Sequence, residues 1–555
     1  MVGVLLKAMV KCSKSHSPTP QINDDLQSRL ITALLDGERY PHPAKRVRLV
    51  ETHISWVLLA GRYAYKIKKS VDLGFLNFTS LARRRDYCDE EIRLNRRLAP
   101  RLYLDVIPIG GTLEIPQLGT LPAIEYAVRM RRFSTLKQLD RLAARNKILP
   151  SHMDSLAATI ARFHAGLPMT KASVRFGTAA ATYSSVSKSF ERLQGALASH
   201  EDETRVTPLR HAMEMEYGKC EYRLEQRHAQ GFVRECHGDL HLGNIALIGN
   251  QPIPFDCIEF NPSLRWIDLM NEVAFTVMDL LHYQRPDLAF RFLNAYLEST
   301  GDYGGVCLLR YYIAYRAVVR AMVSAIRAEQ TGLRKRARTA ALANCFSLVA
   351  LAGERLAWHR PALIITHGLP GSGKTTFAQT ALERFQAIRI RSDVERKRLF
   401  GLTPLADSRE SGDAIYTASA TQHTYERLHK LARELLMAGN TVIVDAAFLR
   451  QSEREYFHGL AHELEAPFAI ASLQASAIDL TTRIRRRLCK LKDASEADLA
   501  VLKSLQSKQE VLSPAEQAHA VTFLNEGEGF DIDAPEWEKL DRLIRPKNNM
   551  NPTTS

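Results

Sequence analysis

Several common signals are missing from this 555-residue sequence. Its eight cysteines include no C-x-x-C pair, which argues against a structural zinc site and a disulfide framework and favours a reducing compartment. No stretch of about 18 uninterrupted apolar residues occurs, so neither a spanning helix nor a membrane partner is expected. Lys7 interrupts the apolar opening 1–6 and no convincing cleavage site follows, which leaves a signal peptide as the minor alternative. We therefore expect a cytoplasmic protein.

The overall composition is that of an ordinary globular chain. Hydrophobic residues make up 45% of the sequence and charged residues 25%. A chain of this length is expected to form about two to four domains rather than one core. The net charge of +14 fits a nucleic-acid partner, but it fits binding sites for the polyanion ATP equally well. The charge alone does not separate these two classes of partner.

The most specific motif is Gly-Leu-Pro-Gly-Ser-Gly-Lys-Thr at 368–375, which fits the phosphate-loop pattern G-x-x-x-x-G-K-[ST] at every fixed position. A buried-strand pattern precedes it at 362–366 and a helical pattern follows it, which disfavours a chance glycine-rich turn. Lys374 would reach the β- and γ-phosphates of ATP, and the Thr375 hydroxyl would ligate Mg²⁺. The residues expected to bind the nucleotide here are Gly368, Gly371, Ser372, Gly373, Lys374, Thr375 and Thr376.

Strands alternate with helical patterns beyond this motif, at 387–390, 441–444 and 468–471, which predicts a parallel α/β sheet. Asp445 directly follows the second of these strands, where P-loop enzymes place a second group that orients the metal. We therefore expect Asp445 to be a metal ligand together with Thr375.

An Asp-x-x-Arg element, Asp393 to Arg396, follows the strand 387–390. P-loop kinases use such a pair, with the aspartate activating the acceptor hydroxyl. The alternative for Asp393 is an N-cap on a charged helix. Farther on, Arg485 and Arg487 lie in a basic run that resembles the arginine-bearing lid of these kinases, and a solvated basic helix is the alternative.

A second constellation lies upstream, in His-Gly-Asp-Leu-His-Leu-Gly-Asn at 237–244, with Asp256 following the short run 251–255. Kinase-type catalysis needs a carboxylate that accepts or orients the proton of the attacking hydroxyl. It also needs an amide oxygen and a second carboxylate that hold Mg²⁺. The alternative is a polar turn with a fortuitous asparagine. His237 and His241 suggest a metal pair, but hydrogen bonds that brace the loop are the favoured interpretation.

This stretch resembles the aminoglycoside phosphotransferase and choline kinase-like family, relatives of protein kinases, whose H-G-D-x-x-x-x-N is present letter for letter. The resemblance implies that Asp239 is the catalytic base and that Asn244 and Asp256 are metal ligands. It also implies an ATP-binding lysine on a strand, paired with a glutamate on a helix.

Lys66 fits the strand lysine, because Ala-Tyr-Lys at 64–66 has the spacing of the kinase A-x-K element. It is favoured over Lys68, which lies on the same face of a predicted hairpin strand. Glu91, in a charged helical pattern at 81–98, is the favoured partner, and an ordinary solvated charge is the alternative. The glycine-rich loop of protein kinases is absent.

A helical pattern at 311–327 aligns Arg316, Arg320 and Arg327 on one face. Such a face could present cations to a charged acceptor. A solvated face is the favoured alternative, and the sequence does not decide between them.

The order of parts resembles a bacterial two-domain family, in which an aminoglycoside phosphotransferase-like region is fused to a P-loop kinase domain of the AAA or zeta-toxin type. We therefore predict an α+β kinase-like, two-lobed N-terminal domain followed by an α/β P-loop NTPase domain with a parallel sheet, each carrying its own site. The predicted limits are a flexible arm 1–20, the kinase-like domain 21–351, a linker 352–361, the P-loop domain 362–546 and a disordered tail 547–555.

The predicted function is that of a bifunctional phosphotransferase that uses Mg²⁺ and ATP on hydroxyl groups of small molecules. One rival is a polynucleotide 5′-hydroxyl kinase, suggested by the Asp-x-x-Arg element and the basic charge, but nucleic acid is not the favoured partner. The other rival is an ATP-binding regulator that does not turn over at one site. The sequence names neither acceptor and leaves open whether aminoglycosides are substrates.

Overall fold

The computed structural model divides the chain into two compact units, one formed by residues 1–285 and 308–357 and the other by 286–307 and 358–555. The predicted arm 1–20 and tail 547–555 lie outside the described residues. The backbone alone is described for residues 21–25 and 487–488. The residues described are 21–52, 54–72, 76–169, 175–197, 205–330, 333–357, 359–404, 406, 415, 417–488, 497–526 and 530–545.

The first unit begins with an antiparallel six-stranded sheet in the order β1-β2-β3-β6-β4-β5. Helix α2 packs against β4 and β6 of this sheet. The elements are α1 (Gln21–Ala33), β1 (Arg48–Glu51), β2 (Ser55–Ala60), β3 (Tyr63–Lys68), α2 (Leu81–Asn95), β4 (Tyr103–Gly111), β5 (Pro116–Leu118) and β6 (Glu125–Arg131).

The predicted hairpin of β2 and β3 is confirmed, with Gly61 in the left-handed region at the two-residue turn (φ 54°). Strand alternation sends Tyr65 and Ile67 into an apolar cluster, and it sends Lys66 and Lys68 to the opposite face. Both faces of β3 are therefore buried, one by apolar packing and the other by charged groups. That second face is where the first candidate site forms.

Sequence analysis did not predict strand β4, which lies between β5 and β6 in the sheet. Its centre contains Pro108, a residue that disfavours a strand because it cannot donate a ladder hydrogen bond. Tertiary pairing with β6 overrides that local preference.

The rest of the first unit is mainly helical, with short strands and turns between residues 231 and 260. Strands β8 and β9 form a hairpin, and the motif at 237–244 lies between β7 and β8. The elements up to residue 282 are α3 (Leu139–Ala143), α4 (Pro150–Ala165), α5 (Ala179–Leu197), α6 (Val206–Ala229), β7 (Val233–Glu235), β8 (Ile245–Ile248), β9 (Gln251–Pro254), α7 (Pro262–Arg265), β10 (Trp266–Asp268) and α8 (Leu269–His282).

Helix α9 (Pro286–Thr300) interrupts this order, because it belongs to the second unit. The chain then returns to the first unit with α10 (Leu309–Ala328) and α11 (Lys335–Leu356). The predicted domain limits placed residues 286–307 in the first domain. An apolar helical pattern does not show which hydrophobic core the helix packs against. Helix α11 also extends into the predicted linker 352–361.

The second unit contains a parallel five-stranded sheet in the order β12-β13-β11-β14-β15, as the strand–helix alternation predicted. The phosphate-loop motif follows the central strand β11 and opens α12, so it lies at the carboxyl edge of the sheet. The elements are β11 (Leu363–His367), α12 (Lys374–Phe385), β12 (Ile388–Arg391), α13 (Ser392–Leu399), α14 (Ala418–Met437), β13 (Val442–Asp445), α15 (Gln451–Glu463), β14 (Phe468–Gln474), α16 (Ala477–Leu488), α17 (Leu499–Gln506), α18 (Pro514–Gln517), β15 (Ala520–Leu524) and α19 (Pro535–Ile544).

The sequence predicts neither a membrane-spanning helix nor a disulfide framework. Within the described part of the chain, no helix is long and apolar enough to cross a membrane. No disulfide joins the cysteines that the structure describes. The predicted cytoplasmic location stays a prediction.

Helix α9 covers the edge strand β12 through the buried side chain of Asn294. Its amide nitrogen donates to the Ala387 carbonyl at 2.9 Å, and its oxygen accepts the Arg389 N–H at 2.7 Å.

We expect Asn294→Ala to lower the free energy of unfolding of the second unit by about 1–3 kcal/mol, because buried backbone groups lose their partner. Urea unfolding, with hydrogen exchange at 388–391, measures this. The control is the exposed Ser299→Ala on the same helix; equal stabilities would contradict the prediction.

Candidate functional site

The first candidate site is built on the two buried lysines of β3. Lys66 Nζ lies 2.8 Å from Glu91 Oε1 on α2 and 2.8 Å from Asp256 Oδ1, which follows β9. Lys68 Nζ lies 2.7 Å from the other Glu91 oxygen and also pairs with Glu259. The predicted Lys66–Glu91 pair therefore exists, and the solvated-charge alternative for Glu91 is wrong because its side chain is fully buried.

Charge balance, rather than burial, sets the ionisation of Lys66 and Glu91. Burial alone would lower the pKa of Lys66, but Asp256 and Glu91 raise that pKa well above its ordinary value. Burial alone would raise the pKa of Glu91, but Lys66 and Lys68 hold that pKa below its ordinary value. Burial raises the pKa of Glu259 even though Lys68 contacts it. The lysines are therefore charged, as a phosphate-binding role requires.

The loop that carries Asp256 is fixed by side chains of β4 and α2. Asp256 has a positive φ of 65°, a left-handed conformation that aspartate tolerates better than most residues. Its N–H donates to the Tyr103 hydroxyl at 3.1 Å, and the next N–H, of Cys257, donates to Asn95 Oδ1 at 2.9 Å. These two bonds hold the Asp256 carboxylate against Lys66.

The predicted catalytic pair is also brought together. Asn244 Nδ2 donates to Asp239 Oδ2 at 2.9 Å and to the Asp239 carbonyl at 3.0 Å. Burial alone would raise the pKa of Asp239, but His241, with Nε2 3.5 Å from Oδ2, contributes most to holding that pKa well below its ordinary value. Asp239 is therefore an ionised carboxylate near neutral pH and can accept a proton.

The two histidines of the motif brace the loop, as the favoured interpretation held. His237 Nε2 hydrogen-bonds with the Phe255 carbonyl at 2.9 Å, and His241 Nδ1 accepts the Gly243 N–H at 3.0 Å. Burial lowers the pKa of His237.

Glu272 on α8 is a residue that sequence analysis missed. Its Oε2 accepts the Gly238 N–H of the motif at 2.8 Å, and its Oε1 lies 3.1 Å from His164 Nε2. Burial alone would raise the pKa of Glu272, but the His164 hydrogen bond contributes most to lowering that pKa to about 2. Glu272 lies in a helix of mostly apolar residues that also contains the buried Asp279, and a buried ionisable residue was the available signal.

Ligand atoms of His164, Cys236 and Glu272 lie within 4.8 Å of one another. Burial raises the pKa of the Cys236 thiol well above its ordinary value, which keeps it protonated. With Glu272 already bonded to Gly238 and His164, hydrogen bonds account for this group better than a metal does.

The favoured alternative for the arginines of α10 was a solvated face. The structure does not place that whole face in solvent. Arg316 is buried, donates to Asn271 Oδ1 at 2.7 Å and lies over the Phe275 ring. The Arg320 side chain is mostly buried, 4.0 Å from Asp279, and only Arg327 of the three is exposed. The solvated-face interpretation is therefore wrong for Arg316 and Arg320, because Arg316 bonds Asn271 and the Gly238 carbonyl of the motif and Arg320 lies beside Asp279 of α8.

The second candidate site is the phosphate loop after β11. Gly371 and Gly373 have φ angles of 87° and 98°, and a Cβ at Gly373 would collide with the Asn525 amide. Lys374 Nζ donates to the carbonyls of Gly368 and of residue 369 at 2.9 Å each. The Ser372 hydroxyl is buried and has no hydrogen-bond partner within the described ranges, which fits a site for a ligand oxygen. Thr375 is half-buried and Thr376 exposed.

Arg483 and Asn525 clamp this loop. Arg483 belongs to the basic run 483–487 predicted for the lid, but its contact with the loop and the role of Asn525 were not predicted. Arg483 donates to the Gly371 carbonyl at 3.3 Å and to the Asn525 carbonyl at 2.8 Å, and Asn525 Nδ2 donates to the Ser372 carbonyl at 2.9 Å. Of the arginines predicted for the lid, Arg485 is exposed, and the side chain of Arg487 lies outside the described residues. Sequence analysis did not predict strand β15. The alternation of its side chains was the available signal for the position of Asn525, which directly follows that strand.

The predicted acidic residues of this site lie at the carboxyl ends of β12 and β13. Asp445 is 5% exposed, and its Oδ2 accepts no hydrogen bond from the residues described, which fits a role as metal ligand. Burial raises the pKa of Asp445, although the charges of Arg391, Arg389 and Lys374 offset part of that effect. Helix α13 has Arg391 as its N-cap, so the capping alternative for Asp393 is wrong. The buried Arg396 donates to the Ile415 carbonyl at 3.0 Å and to the Thr421 hydroxyl at 3.2 Å.

Together these features define the class of protein: a kinase-like α+β unit and an α/β P-loop NTPase domain in one chain. Residues 363–512 match the family model described as an AAA domain. That match covers the phosphate loop and the strands β11 to β14.

Comparison with curated proteins finds relatives across most of the chain. Uncharacterized proteins of Mycobacterium tuberculosis and Mycobacterium bovis are each 28% identical in an alignment of 486 residues that covers 85% of this chain and 93% of theirs. An alignment of this length reaches into both units of this chain.

Solved structures resemble each region separately. Amicoumacin kinase hAmiN in complex with AMP-PNP has 12% identity over 59% of this chain and 96% of its own, with a TM-score of 0.36. Choline kinase of Cryptosporidium parvum has 10% identity over 58% and 95%, with a TM-score of 0.38. A sugar kinase of Janibacter sp. has 16% identity over 33% and 91%, with a TM-score of 0.23. With such TM-scores, these structures identify no acceptor for this chain.

Removing the carboxylate shared by the two lysines tests the first site. We expect Glu91→Gln to lower the free energy of unfolding by about 3–5 kcal/mol, because two buried cations lose a partner. Urea unfolding of the full chain measures this. The matched control is Asp89→Asn on the exposed face of α2, which should change stability by less than about 0.5 kcal/mol. Similar losses in both variants would contradict the cluster's role.

Proposed function

We propose that this chain is an ATP-dependent phosphotransferase with two nucleotide sites, one in each unit. The observation that carries the proposal is the pairing of Lys66 with both Glu91 and Asp256, beside the bonded Asp239 and Asn244. A charged lysine tied to a helix glutamate, an ionised base and two oxygen ligands are the parts that phosphoryl transfer requires.

In the first unit, Lys66 would bind the phosphates of ATP, with Glu91 fixing its position. Asn244 and Asp256 would hold Mg²⁺, which supplies charge neutralisation between the phosphates. Asp239 would orient the acceptor hydroxyl and accept its proton, since its lowered pKa keeps it ionised. The proposed acceptor is a hydroxylated small molecule.

In the second unit, the backbone of the phosphate loop and Lys374 would bind the phosphates. Thr375 and Asp445 would hold the metal, which fits the buried Asp445 oxygen that no described residue bonds. Asp393, at the carboxyl edge of the parallel sheet, would activate a second hydroxyl acceptor. Weak dependence of acceptor binding on salt would distinguish this proposal from a polynucleotide kinase, whose binding falls steeply with salt.

Asp239→Asn tests the first site. The substitution removes the charge of the carboxylate but keeps a side-chain oxygen that can accept the hydrogen bond from Asn244. We expect transfer to fall by about 10²- to 10⁴-fold while nucleotide binding is kept, because the general base is lost and the metal ligands remain. The measurement is ATP consumption by the full chain against a library of hydroxylated metabolites. Lys374→Ala is present throughout to silence the second site. Wild-type turnover in Asp239→Asn would show that Asp239 is not the base.

Lys374→Ala tests the second site inside the intact chain. Hydrogen exchange is measured with and without Mg²⁺ and AMP-PNP. We expect the nucleotide to protect 368–376 in the wild type but not in the variant, because the cation on the β- and γ-phosphates is gone. Protection at 237–256 should be unchanged and serves as the internal control. Protection of 368–376 in the variant at wild-type nucleotide concentrations would mean that this loop does not bind phosphate through Lys374.

A further inference from the structure

Helix α9 brings a carboxylate to the edge of the second site. Glu298 Oε1 lies 2.6 Å from Arg391 and Oε2 lies 2.9 Å from Arg389, both on β12. The Glu298 carbonyl accepts a hydrogen bond from Arg398 at 2.7 Å. Burial alone would raise the pKa of Glu298, but Arg391 and Arg389 hold that pKa below its ordinary value. Glu298 is therefore an ionised, fixed partner of the β12 arginines.

Arg391 lies close to two carboxylates. Its guanidinium bonds Glu298 at 2.6 Å, whereas its Nε lies 3.7 Å from Asp445 Oδ2, beyond hydrogen-bond distance. The Arg391 side chain is 11% exposed, so losing the charge of the carboxylate that it hydrogen-bonds is costly. If Glu298 lost its charge, the guanidinium could regain a charge-assisted bond by moving about 1 Å toward Asp445. An arginine bonded to Asp445 would compete with a divalent cation for the same oxygen.

We propose that Glu298 is a positioning residue of the second site, which holds Arg391 away from Asp445 and so keeps that carboxylate open to Mg²⁺. The inference rests on the proposed function, because it takes Asp445 as a ligand of the metal bound with ATP. It assigns to residues 286–307 a role in the P-loop site, although they lie between helices of the first unit in the sequence.

The test uses the full chain and measures hydrogen exchange at 368–376 with AMP-PNP, so the signal comes from the second site alone. Mg²⁺ is varied, and the concentration that gives half-maximal protection is determined. In Glu298→Gln this concentration should rise by about tenfold or more, the size expected when a residue supporting a metal ligand is lost. Protection by AMP-PNP without Mg²⁺ should be unchanged.

Two control variants separate positioning from stability. Glu298→Asp keeps the charge and should stay within about threefold of the wild-type Mg²⁺ midpoint. Glu383→Gln removes the 2.8 Å pair between Arg291 of α9 and Glu383 of α12, which does not involve Arg391. It should leave the Mg²⁺ midpoint unchanged. Melting temperatures of all variants are measured in parallel.

The decisive variant is the double substitution Glu298→Gln with Arg391→Gln. Because the competing cation is removed, its Mg²⁺ midpoint should return to within about threefold of the wild type. A merely structural role for Glu298 predicts no such rescue. An unchanged midpoint in Glu298→Gln, an equal shift in Glu383→Gln, or absence of rescue would overturn the inference. If AMP-PNP protects 368–376 in no variant and not in the wild type, the proposed function of this site fails instead.

Discussion

Two lysines buried on one strand are the constraint around which the first unit is arranged. A buried ammonium group must be paired, and Lys66 and Lys68 together require carboxylates from α2 and from the segment after β9. The sheet, the helix and the Asp256 loop are therefore held in one register by ion pairs rather than by apolar packing alone. The same pairs keep the cation that the proposed function assigns to a polyanionic ligand.

In the second unit, the buried charge that needs a partner is negative rather than positive. Its acidic residue, Asp445, is buried without a hydrogen bond on Oδ2 among the residues described, and an arginine close by is held by another carboxylate. A buried carboxylate left in this state is unfavourable without a cation, which is the arrangement expected of a metal ligand. In both units, the positions of charges rather than their number prepare the proposed sites.

Short-range patterns predicted the parts of the protein that depend on local chemistry. The phosphate loop, the motif at 237–244 and the β2–β3 hairpin follow from spacing within or between neighbouring elements, and the Lys66–Glu91 pair follows from the resemblance to the kinase-like family. Long-range packing was not predictable in the same way. Nothing in the sequence near Glu298 or Glu272 shows which backbone or guanidinium each carboxylate will meet, because those partners lie 93 and 34 residues away. Strand β4 was missed because Pro108 opposes it locally.

The central claim is that one chain holds two independent nucleotide sites that bind metal and ATP. The most direct measurement is equilibrium dialysis of AMP-PNP against the full chain at saturating Mg²⁺, which gives the number of nucleotides bound per chain. The account predicts a stoichiometry of two. A stoichiometry of one or none at saturation would contradict it.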